Sequence, residues 1–520
     1  MKDLTVLKSS KNIYSETLPA FAISLILLII SAGCSDQQDS SLAEYGPSSE
    51  ARHLVIIVDG LRPDYVTPEI MPHVYAMGQK GVIGTNSYSV FPSFTRPNRT
   101  AIPTGVYPHK HGIVNNSMLH PDLEEPVHTG NYQDMHAYAE VSGTPIITSV
   151  TIGEVLDANG MNILTLGHGS WLQNYKNLGK GWMMAGNFSQ PEDIVAEIIA
   201  AVGEAPAGGR TSERTAWEID LYLYDSLGDN PAEVVLLWLG EPDAAGHEFG
   251  VGAPETLEAV ASVDRQIGRI LQVHEEHGLS EEVNIYITSD HGFTQSTGNF
   301  SVAEFVRNAG LEGQVEFVRN MGYVPDSNPE QMKRMVEALH RSDEVGAVYT
   351  RPANPGDEEG MIPGTLSTDL IMWTHDRGSD IIISPSWSDD KNEHGWKGVT
   401  SRSGLASHGS DSPFDMNIAF VAAGPDIKQG VVNDVPTGNV DFAPTVLHLL
   451  GINPPDHMDG RIMTEILKTG PQPDEIEVER LTHPVSVTYS DGFTYQTELT
   501  RFRVDSTYYI RKAVTERKQP

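Results

Sequence analysis

Three apolar runs in this sequence lead into carboxylate-bearing segments, and this recurrence restricts the chain to few folds. The first run, 54–58, is followed by Asp59; the others are 234–238 and 284–289, and the last is followed by Asp290. A continuous run rich in apolar and β-branched residues predicts a parallel strand that is buried on both faces. Because ligands bind at the carboxyl ends of such strands, we expect Asp59 and Asp290 at a functional site.

Helical segments separate the strands, and this alternation sets the fold class. The helical candidates are 194–201, 256–274 and 442–450, and the run 418–423 predicts a further strand. Strands that alternate with helices predict an α/β protein with a doubly wound, mostly parallel sheet flanked by helices. With 520 residues, of which 39% are apolar, the chain is long enough to bury a large core.

Two stretches interrupt the alternation. Residues 293–402 contain an amphipathic helix candidate at 329–341 and short strands, which predict a small α+β cap insertion over the site. Residues 471–520 contain alternating apolar and polar segments, which predict a β-rich C-terminal tail. The predicted organisation is a signal peptide at 1–33, a flexible polar tether at 34–52, a catalytic core at 53–292 and 403–470, the cap at 293–402 and the tail at 471–520.

The N-terminus has the features of an export signal. Lys2, Lys8 and Lys11 precede an apolar run, 18–30, which is shorter than the roughly 20 residues that a membrane-spanning helix needs. Small residues and Cys34, the only cysteine of the chain, follow this run. The pattern resembles a bacterial lipoprotein signal. It predicts an exported protein that is lipid-anchored through Cys34 on the periplasmic or cell-surface side of a bacterial membrane, and an ordinary secretory signal is the alternative.

The charge of the chain limits its partners. The formal net charge is −35, from 70 acidic and 35 basic residues. An acidic surface repels polyanions, so no nucleic acid binding is expected. Small phosphate esters remain possible substrates, because bound metal ions reverse the local electric field.

Five short segments contain the residue types of a metal centre. They are 59–64 (DGLRPD), 91–116 (from FPSFTRPNR to HGIVNN), 241–247 (EPDAAGH), 289–292 (SDHG) and 407–409 (SHG). Zinc takes histidine nitrogen and aspartate oxygen ligands, about four for each ion, and catalytic sites leave one position for the substrate. Each segment alone is weak evidence, but all five in this order predict a metal-dependent enzyme.

With these segments the sequence resembles the alkaline phosphatase superfamily and, within it, the nucleotide pyrophosphatase/phosphodiesterase family. The resemblance extends from residue 54 to about residue 461 and implies a small phosphate-ester substrate and two Zn²⁺ ions. It implies one zinc site at Asp243, His247 and His408, and a second at Asp59, Asp290, His291 and the Thr95 oxygen. It also implies that Thr95 is the nucleophile, since zinc coordination lowers the pKa of a hydroxyl. The resulting phospho-threonine intermediate is then hydrolysed by water.

Residues near Thr95 have further predicted roles. Pro97 is favoured in a first helical turn, so a helix that starts there would direct backbone N–H groups at an anion. The resemblance implies that Asn116 donates a hydrogen bond to a phosphoryl oxygen, and Asn115 is the alternative match. Trp238, at the end of its strand, is predicted to stack on a substrate or to belong to the core.

Arg96 and Arg99 depart from the pattern of nucleotide-cleaving relatives. Those relatives have an aromatic residue directly after the nucleophile, where this chain has Arg96. They have a histidine after the Pro-Asn pair, where this chain has Arg99. A guanidinium group offers a planar fork to carboxylate or phosphate oxygens. Arg96 therefore predicts a substrate with an extra anionic group near the scissile phosphorus. The alternative is that Arg96 faces solvent or pairs with a carboxylate of the protein.

The leading functional interpretation is a di-zinc phosphodiesterase or pyrophosphatase. A phosphomonoesterase or a phosphonate hydrolase would use the same ligands, because the leaving-group pocket separates these activities. Thr95, Pro97 and Arg99 also resemble a sulfatase signature, but threonine cannot be oxidised to the aldehyde that sulfatases use. A lipid-anchored binding protein on an inactive scaffold would lack a ligand or the nucleophile, and none is missing.

Overall fold

A large sheet, with ten strands among the described residues, forms the centre of the catalytic core. The structure is a computed structural model, and it describes residues 45–520 except 121, 124, 168, 174–180 and 185–188. The strands of the central sheet are β1 (Arg52–Val58), β2 (Val82–Tyr88), β3 (Ile163–Leu166), β4 (Trp182–Met184), β5 (Ser189–Gln190), β6 (Val234–Leu239), β7 (Val283–Thr288), β8 (Asn417–Ala423), β9 (Val431–Asn433) and β10 (Thr437–Gly438).

The strand order is β9-β2-β8-β7-β1-β6-β3-β4-β5, and β10 pairs with β2. β1 lies between β7 and β6 and is parallel to both, as the apolar runs before Asp59 and Asp290 predicted. β8 is antiparallel to its neighbours β2 and β7, and β5 is antiparallel to β4. The predicted α/β fold is confirmed, with β8 as an antiparallel strand inside an otherwise mainly parallel sheet.

Helices cover both faces of this sheet. Alternate residues of β1 point into different cores: Leu54 and Ile56 into one, Val55 and Ile57 into the other. The α-helices of the described residues are α1 (Pro72–Lys80), α2 (Thr95–Thr104), α3 (Pro108–His111), α4 (Tyr132–Ser142), α5 (Ile152–Ala158), α6 (Glu192–Val202), α7 (Ser212–Ser226), α8 (Asp243–Phe249), α9 (Pro254–His277), α10 (Val302–Asn308), α11 (Pro329–Arg341), α12 (Pro413–Met416) and α13 (Phe442–Leu449). The first core contains residues of α1, α6, α7 and α9, and the second contains residues of α2, α5 and α13.

The insertion predicted at 293–402 has α+β structure. It includes α10 and α11, and the apolar face of α11 packs with neighbouring strands in a separate core. One sheet contains Thr294–Phe300, Trp387–Lys391, Lys397–Arg402 and Ala406–Ser407, and another contains Glu316–Val318, Met321–Tyr323, Val345–Thr350, Leu366–Ser367 and Ile381–Pro385. Ala406–Ser407 pairs with Thr294–Phe300 from beyond the predicted boundary at 402, so the domain limits stay predictions.

The tail forms an antiparallel three-stranded sheet, which confirms the predicted β-rich C-terminus. Its strands are Glu479–Thr488, Thr494–Val504 and Thr507–Lys518. The Tyr495 hydroxyl donates a hydrogen bond of 2.8 Å to the Gly346 carbonyl, which attaches the tail to the insertion. A small two-stranded sheet, Ser117–Met118 with Val127–His128, follows the segment that contains Asn116.

The predicted signal peptide and Cys34 lie outside the described residues. Residues 45–52 belong to the segment that was predicted to be a flexible tether, but they are attached to the catalytic core by hydrogen bonds. Ser48 donates from its backbone N–H and its hydroxyl to Asp426 Oδ1, at 2.7 and 2.8 Å. β1 begins at Arg52. Among the helices of the described part, none is long and apolar enough to cross a membrane.

Candidate metal centre

The ends of two neighbouring strands bring three predicted ligands together. Asp59 directly follows β1, and Asp290 and His291 follow β7. The His291 Nε2 atom lies 3.1 Å from Asp290 Oδ2 and 3.5 Å from Asp59 Oδ1. The three side chains are almost completely buried and could hold one metal ion. We call Asp59, Asp290 and His291 the buried cluster.

A second group of predicted ligands comes from a helix and a distant loop. Asp243 and His247 lie on α8, and His408 follows the strand Ala406–Ser407. The Nε2 atoms of His247 and His408 each lie 3.4 Å from Asp243 Oδ1. These three side chains could also hold a metal ion. We call Asp243, His247 and His408 the outer cluster.

The two clusters are adjacent. The Asp243 backbone N–H donates a hydrogen bond of 3.0 Å to the Asp59 carbonyl. The imidazole rings of His291 and His408 stack with their centroids 3.4 Å apart. Two ions held in this way would share one compartment, which is the arrangement that in-line phosphoryl transfer requires of a metal pair.

Backbone carbonyl groups orient all three histidines. The Nδ1 atoms of His247, His291 and His408 lie 2.9–3.0 Å from the carbonyl oxygens of Ala406, Gly292 and Ser93. Because a carbonyl oxygen only accepts, each Nδ1 must carry the proton. Each Nε2 lone pair therefore points into its cluster, as is typical of histidines that bind metal ions.

One oxygen of each carboxylate in the two clusters lacks a hydrogen-bond partner. These oxygens are Asp59 Oδ1, Asp243 Oδ1 and Asp290 Oδ2, which are buried and accept no hydrogen bond from the described residues. Burial, and then the negative charges of Asp290 and Asp243, raise the pKa of Asp59 well above its usual range. Buried carboxylates are stable when they are paired or bound to metal ions, so these residues fit a pair of cations.

Thr95 lies beside the buried cluster, as predicted. Its Oγ1 atom is buried and 3.2 Å from His291 Nε2. Thr95 is the first residue of α2, and Pro97 stands in the first turn of that helix. The positive end of a helix dipole favours an anion at this position.

The structure distinguishes Asn116 from Asn115. Asn115 is fully buried and its Nδ2 donates a hydrogen bond of 2.7 Å to Asn320 Oδ1. Asn116 is partly exposed, and its Oδ1 accepts a hydrogen bond of 2.9 Å from the Arg96 backbone N–H. Since this bond fixes the carboxamide next to Thr95, Asn116 is the residue positioned to donate from Nδ2 to a bound group.

Trp238 does not face the substrate side. Its ring has no exposed surface, and its Nε1 donates a hydrogen bond of 3.1 Å to Asp59 Oδ2. The predicted stacking on a substrate is wrong, because neighbouring strands and the Arg99 guanidinium, 3.8 Å from the ring centroid, enclose the indole. Trp238 instead orients Asp59, a candidate metal ligand.

Sequence reasoning assigned no role to two arginines that contact the clusters. Arg99 lies 3.8 Å from Asp59 Oδ2, and Arg210 forms an ion pair with Asp243 Oδ2. Arg99 could have been found, because it follows Thr95 by four residues and so lies on the same face of α2. Arg210 comes from the segment before α7 and has no comparable signal in the sequence.

The fold and the paired clusters define a metal-dependent hydrolase of phosphoric esters with an alkaline phosphatase-like architecture. The sequence model of the type I phosphodiesterase / nucleotide pyrophosphatase family matches residues 53–400, and the chain belongs to this family.

Similar proteins agree with this family. Bis(5'-adenosyl)-triphosphatase ENPP4 of Bos taurus is 26% identical over 437 residues, which cover 83% of this chain and 84% of that protein. Human ectonucleotide pyrophosphatase/phosphodiesterase family member 7 is 24% identical over 436 residues, which cover 80% and 83%. The structure of an inactive variant of murine ectonucleotide pyrophosphatase/phosphodiesterase 5 in complex with AMP matches with a TM-score of 0.59 at 19% identity, and the match covers 80% of this chain and 100% of that chain.

Proposed function

We propose that this protein is a di-zinc phosphodiesterase or pyrophosphatase that acts through a covalent intermediate on Thr95. The observation that carries the proposal is the position of the Thr95 hydroxyl at the start of α2, 3.2 Å from His291 Nε2. The names of the similar proteins support a phosphodiester or pyrophosphate substrate.

The buried cluster together with Thr95 would hold one zinc ion, and the outer cluster would hold the other. When bound, zinc supplies positive charge that lowers the pKa of the Thr95 hydroxyl and offsets the charge of the phosphoryl group. The unpartnered carboxylate oxygens and the three oriented Nε2 atoms support this assignment.

The residues of the chain would perform two displacements. Thr95 Oγ1 loses its proton and attacks phosphorus, the bond from phosphorus to the leaving oxygen breaks, and the leaving group departs with a proton. Water then attacks the phospho-threonine, which restores the Thr95 hydroxyl and releases the phosphate product. Asn116 is fixed by its bond to the Arg96 N–H, so its Nδ2 is available to bind a non-bridging oxygen in both steps.

Rates on matched substrates and metal analysis test this proposal. We expect about two zinc ions per chain, loss of activity with a chelator and recovery when zinc is returned. Aryl phosphodiesters should be hydrolysed faster than the matching monoesters, phosphonates and sulfates. A single calcium ion per chain, or a preference for sulfate esters, would contradict the proposal.

We also propose that the protein is exported and anchored through a lipid on Cys34. The support is the short apolar run 18–30, the small residues after it and the single cysteine. The Cys34→Ala variant should leave the membrane fraction and keep its specific activity in cell fractionation. A wild-type chain that is membrane-bound with an uncleaved apolar segment would instead indicate a signal anchor.

A further inference from the structure

We propose that Arg96 and Arg319 form a subsite for a second oxyanion of the substrate, a phosphate or a carboxylate near the scissile phosphorus. The inference rests on the proposed function at Thr95 and specifies its substrate class. Arg96 was expected to contribute from its place in the sequence. Arg319 comes from the insertion, more than 200 residues later, and only the fold brings it to this site.

The position of Arg96 is fixed on two sides. Its backbone N–H donates to Asn116 Oδ1 at 2.9 Å, and its guanidinium group lies against Gly130. A Cβ atom added at Gly130 would come within 2.5 Å of Arg96 Nη2, so glycine leaves the space that the guanidinium fills. The Arg96 Nε atom is buried and has no hydrogen-bond partner among the residues that the structure describes. A buried guanidinium N–H without an acceptor is costly, and a bound oxyanion would supply that acceptor.

Arg319 stands at the tip of the hairpin between Glu316–Val318 and Met321–Tyr323. Its backbone has a φ of 57°, a left-handed conformation that is uncommon for residues other than glycine. Its side chain is exposed, with the guanidinium carbon 5.7 Å from the ring centroid of Phe94, the residue before Thr95. Within the described part of the chain it forms no hydrogen bond or ion pair. Two-residue hairpin turns of the favoured types require this left-handed conformation, so the turn fixes the position of Arg319.

A chain of buried hydrogen bonds holds the hairpin tip beside the segment that contains Asn115 and Asn116. Asn320 Oδ1 accepts from Asn115 Nδ2 at 2.7 Å, and Asn320 Nδ2 donates to the Ile383 carbonyl at 3.0 Å. Asn115 in turn accepts at Oδ1 from the Asn116 N–H at 2.7 Å. The segment with Asn116 and the residue next to Arg319 are therefore rigidly connected.

The positive charges of Arg96 and Arg319 both act on one neighbouring side chain, His128. Burial first, and then the positive charges of Arg210 and Arg319, lower the pKa of Arg96, against the opposite effects of Asp59 and Asp243. Burial, and then Arg96 and Arg319, lower the pKa of His128. Arg210 is already paired with Asp243. Among the described residues, Arg96 and Arg319 form no ion pair, and neither does Arg402, which also lies over the Phe94 ring but donates to the Gly409 carbonyl. In a chain with a net charge of −35, Arg96 and Arg319 without a carboxylate partner indicate a site that an anionic ligand completes.

The chemistry of the ligand follows from these side chains. Guanidinium groups bind carboxylate and phosphate oxygens through planar, charge-assisted pairs of hydrogen bonds. An aryl diester without a further anionic group has no oxyanion that could bind to the two guanidinium groups. A diester with a second phosphate or a carboxylate has oxygens that can accept their hydrogen bonds. The subsite thus favours substrates with two anionic groups.

Three phosphodiesters that share 4-nitrophenol as the leaving group test the proposal. Their second ester group is derived from ethanol, from 3-hydroxypropanoate or from 2-hydroxyethyl phosphate, so that it is neutral or carries a carboxylate or a phosphate. A parallel series places the carboxylate or the phosphate on the phenol. In at least one series, Arg96→Ala and Arg319→Ala should each lower kcat/KM for the doubly anionic diesters about ten-fold or more. The ethyl diester should change by less than about two-fold. The larger loss identifies phosphate or carboxylate as the preferred group.

Arg334→Ala is the matched charge control. Arg334 is exposed on α11 of the same insertion, and its guanidinium bonds only to Gln314 among the described residues. This variant should leave all diesters unchanged. Equal losses on charged and neutral diesters in the arginine variants, no loss on any, or a matching loss with Arg334→Ala would overturn the subsite. If wild-type enzyme hydrolyses none of the diesters, or if Thr95→Ala hydrolyses them, the proposed function fails as well.

Gly130→Ala provides a second test that keeps the charge of Arg96. The added methyl group should displace the guanidinium and reproduce the selective loss on the doubly anionic diesters. Combined with Arg96→Ala it should cause no further loss, because both changes act on one group. Additive losses in the double variant would show that Gly130 acts elsewhere and would contradict this placement of Arg96.

Discussion

The buried cluster and the outer cluster use the same residue types, yet they differ in how the chain places them. In the buried cluster the side chains of Asp59, Asp290 and His291 are at most 2% exposed, and all three follow neighbouring parallel strands. In the outer cluster the His247 side chain is 38% exposed, and His408 comes from a loop beyond the insertion.

This difference separates two kinds of ligand placement. Strand register fixes the buried cluster, so its geometry is part of the sheet and its core. The outer cluster needs α8 and the loop around His408 to dock correctly, and it opens toward solvent. We therefore expect the buried cluster to hold its ion more tightly and to release it more slowly.

Thr95→Ala should have the largest effect on activity. It tests whether the nucleophile is the residue beside the buried cluster. Removing the nucleophile should lower kcat by several orders of magnitude on every diester. Zinc content and the thermal midpoint should remain close to wild type, because only one small side chain changes. Thr95→Ser retains the hydroxyl and should keep measurable activity. More than about a tenth of wild-type activity in Thr95→Ala would rule out covalent catalysis through this residue.

Chelation kinetics test the predicted difference in metal binding directly. Wild-type enzyme with a zinc-binding dye should release zinc in two phases, with the fast phase from the outer cluster. His247→Asn should remove the fast phase and leave about one zinc per chain, and Asp290→Asn should remove the slow phase. A fast phase that survives in His247→Asn would assign the labile ion to the other cluster.

Trp238→Phe should loosen the buried cluster alone. Phenylalanine keeps a ring beneath Arg99 and loses the N–H bond to Asp59, and changes of this kind commonly cost about 10–100-fold in metal affinity or activity. Zinc titration should show weaker binding at one site. Trp387→Phe is the control, because its indole donates to the Ala513 carbonyl in the insertion and tail. Equal zinc affinities for Trp238→Phe and the wild type would refute a positioning role.

Asp411→Asn should change the stability of the protein more than its activity. Asp411 lies in the loop that contains His408 of the outer cluster. Asp411 follows His408 by three residues and accepts a hydrogen bond of 2.8 Å from the Tyr349 hydroxyl. Burial raises its pKa from 3.8 to about 7.

The folded state favours the protonated carboxyl group of Asp411, because its pKa is higher there than in the unfolded chain. The contribution of Asp411 to stability is therefore full below about pH 4 and is lost as the pH rises to about 7. Asparagine does not titrate, so the stability of the variant relative to wild type should increase over this range. The upper limit is about 1.4 kcal/mol per pH unit. Thermal unfolding at pH 4.5 and pH 8 measures the difference, and a difference that is the same at both values would contradict the assignment.

Local pattern was sufficient for the buried cluster and for the start of α2. Apolar runs that end in a carboxylate predict parallel strands, and the ends of parallel strands meet at one edge of a sheet. Thr95 and Pro97 lie within one helical turn, so the first turn of α2 was also a local prediction.

Side-chain direction at the sheet could not be predicted in the same way. Trp238 is an aromatic residue near the end of β6, and the sequence left both the core and the substrate open to it. Its Nε1 points to Asp59 because β6 pairs in register with β1. The antiparallel direction of β8 has the same origin, since an apolar run predicts a strand without its orientation.

The sequence by itself determined the candidate metal ligands, the proposed nucleophile and the alternation of strands and helices, because these depend on residue type and on short spacings. The tertiary structure decided which asparagine is held beside Thr95, that Trp238 orients Asp59, and that Arg319 lies over Phe94. Each of these depends on contacts between segments that are distant in the chain, such as the bond from Asn115 to Asn320. The contacts of Asn115 and Arg319 form only when the insertion packs on the core, and the contact of Trp238 forms only when β6 pairs with β1. No local periodicity encodes the geometry of these contacts.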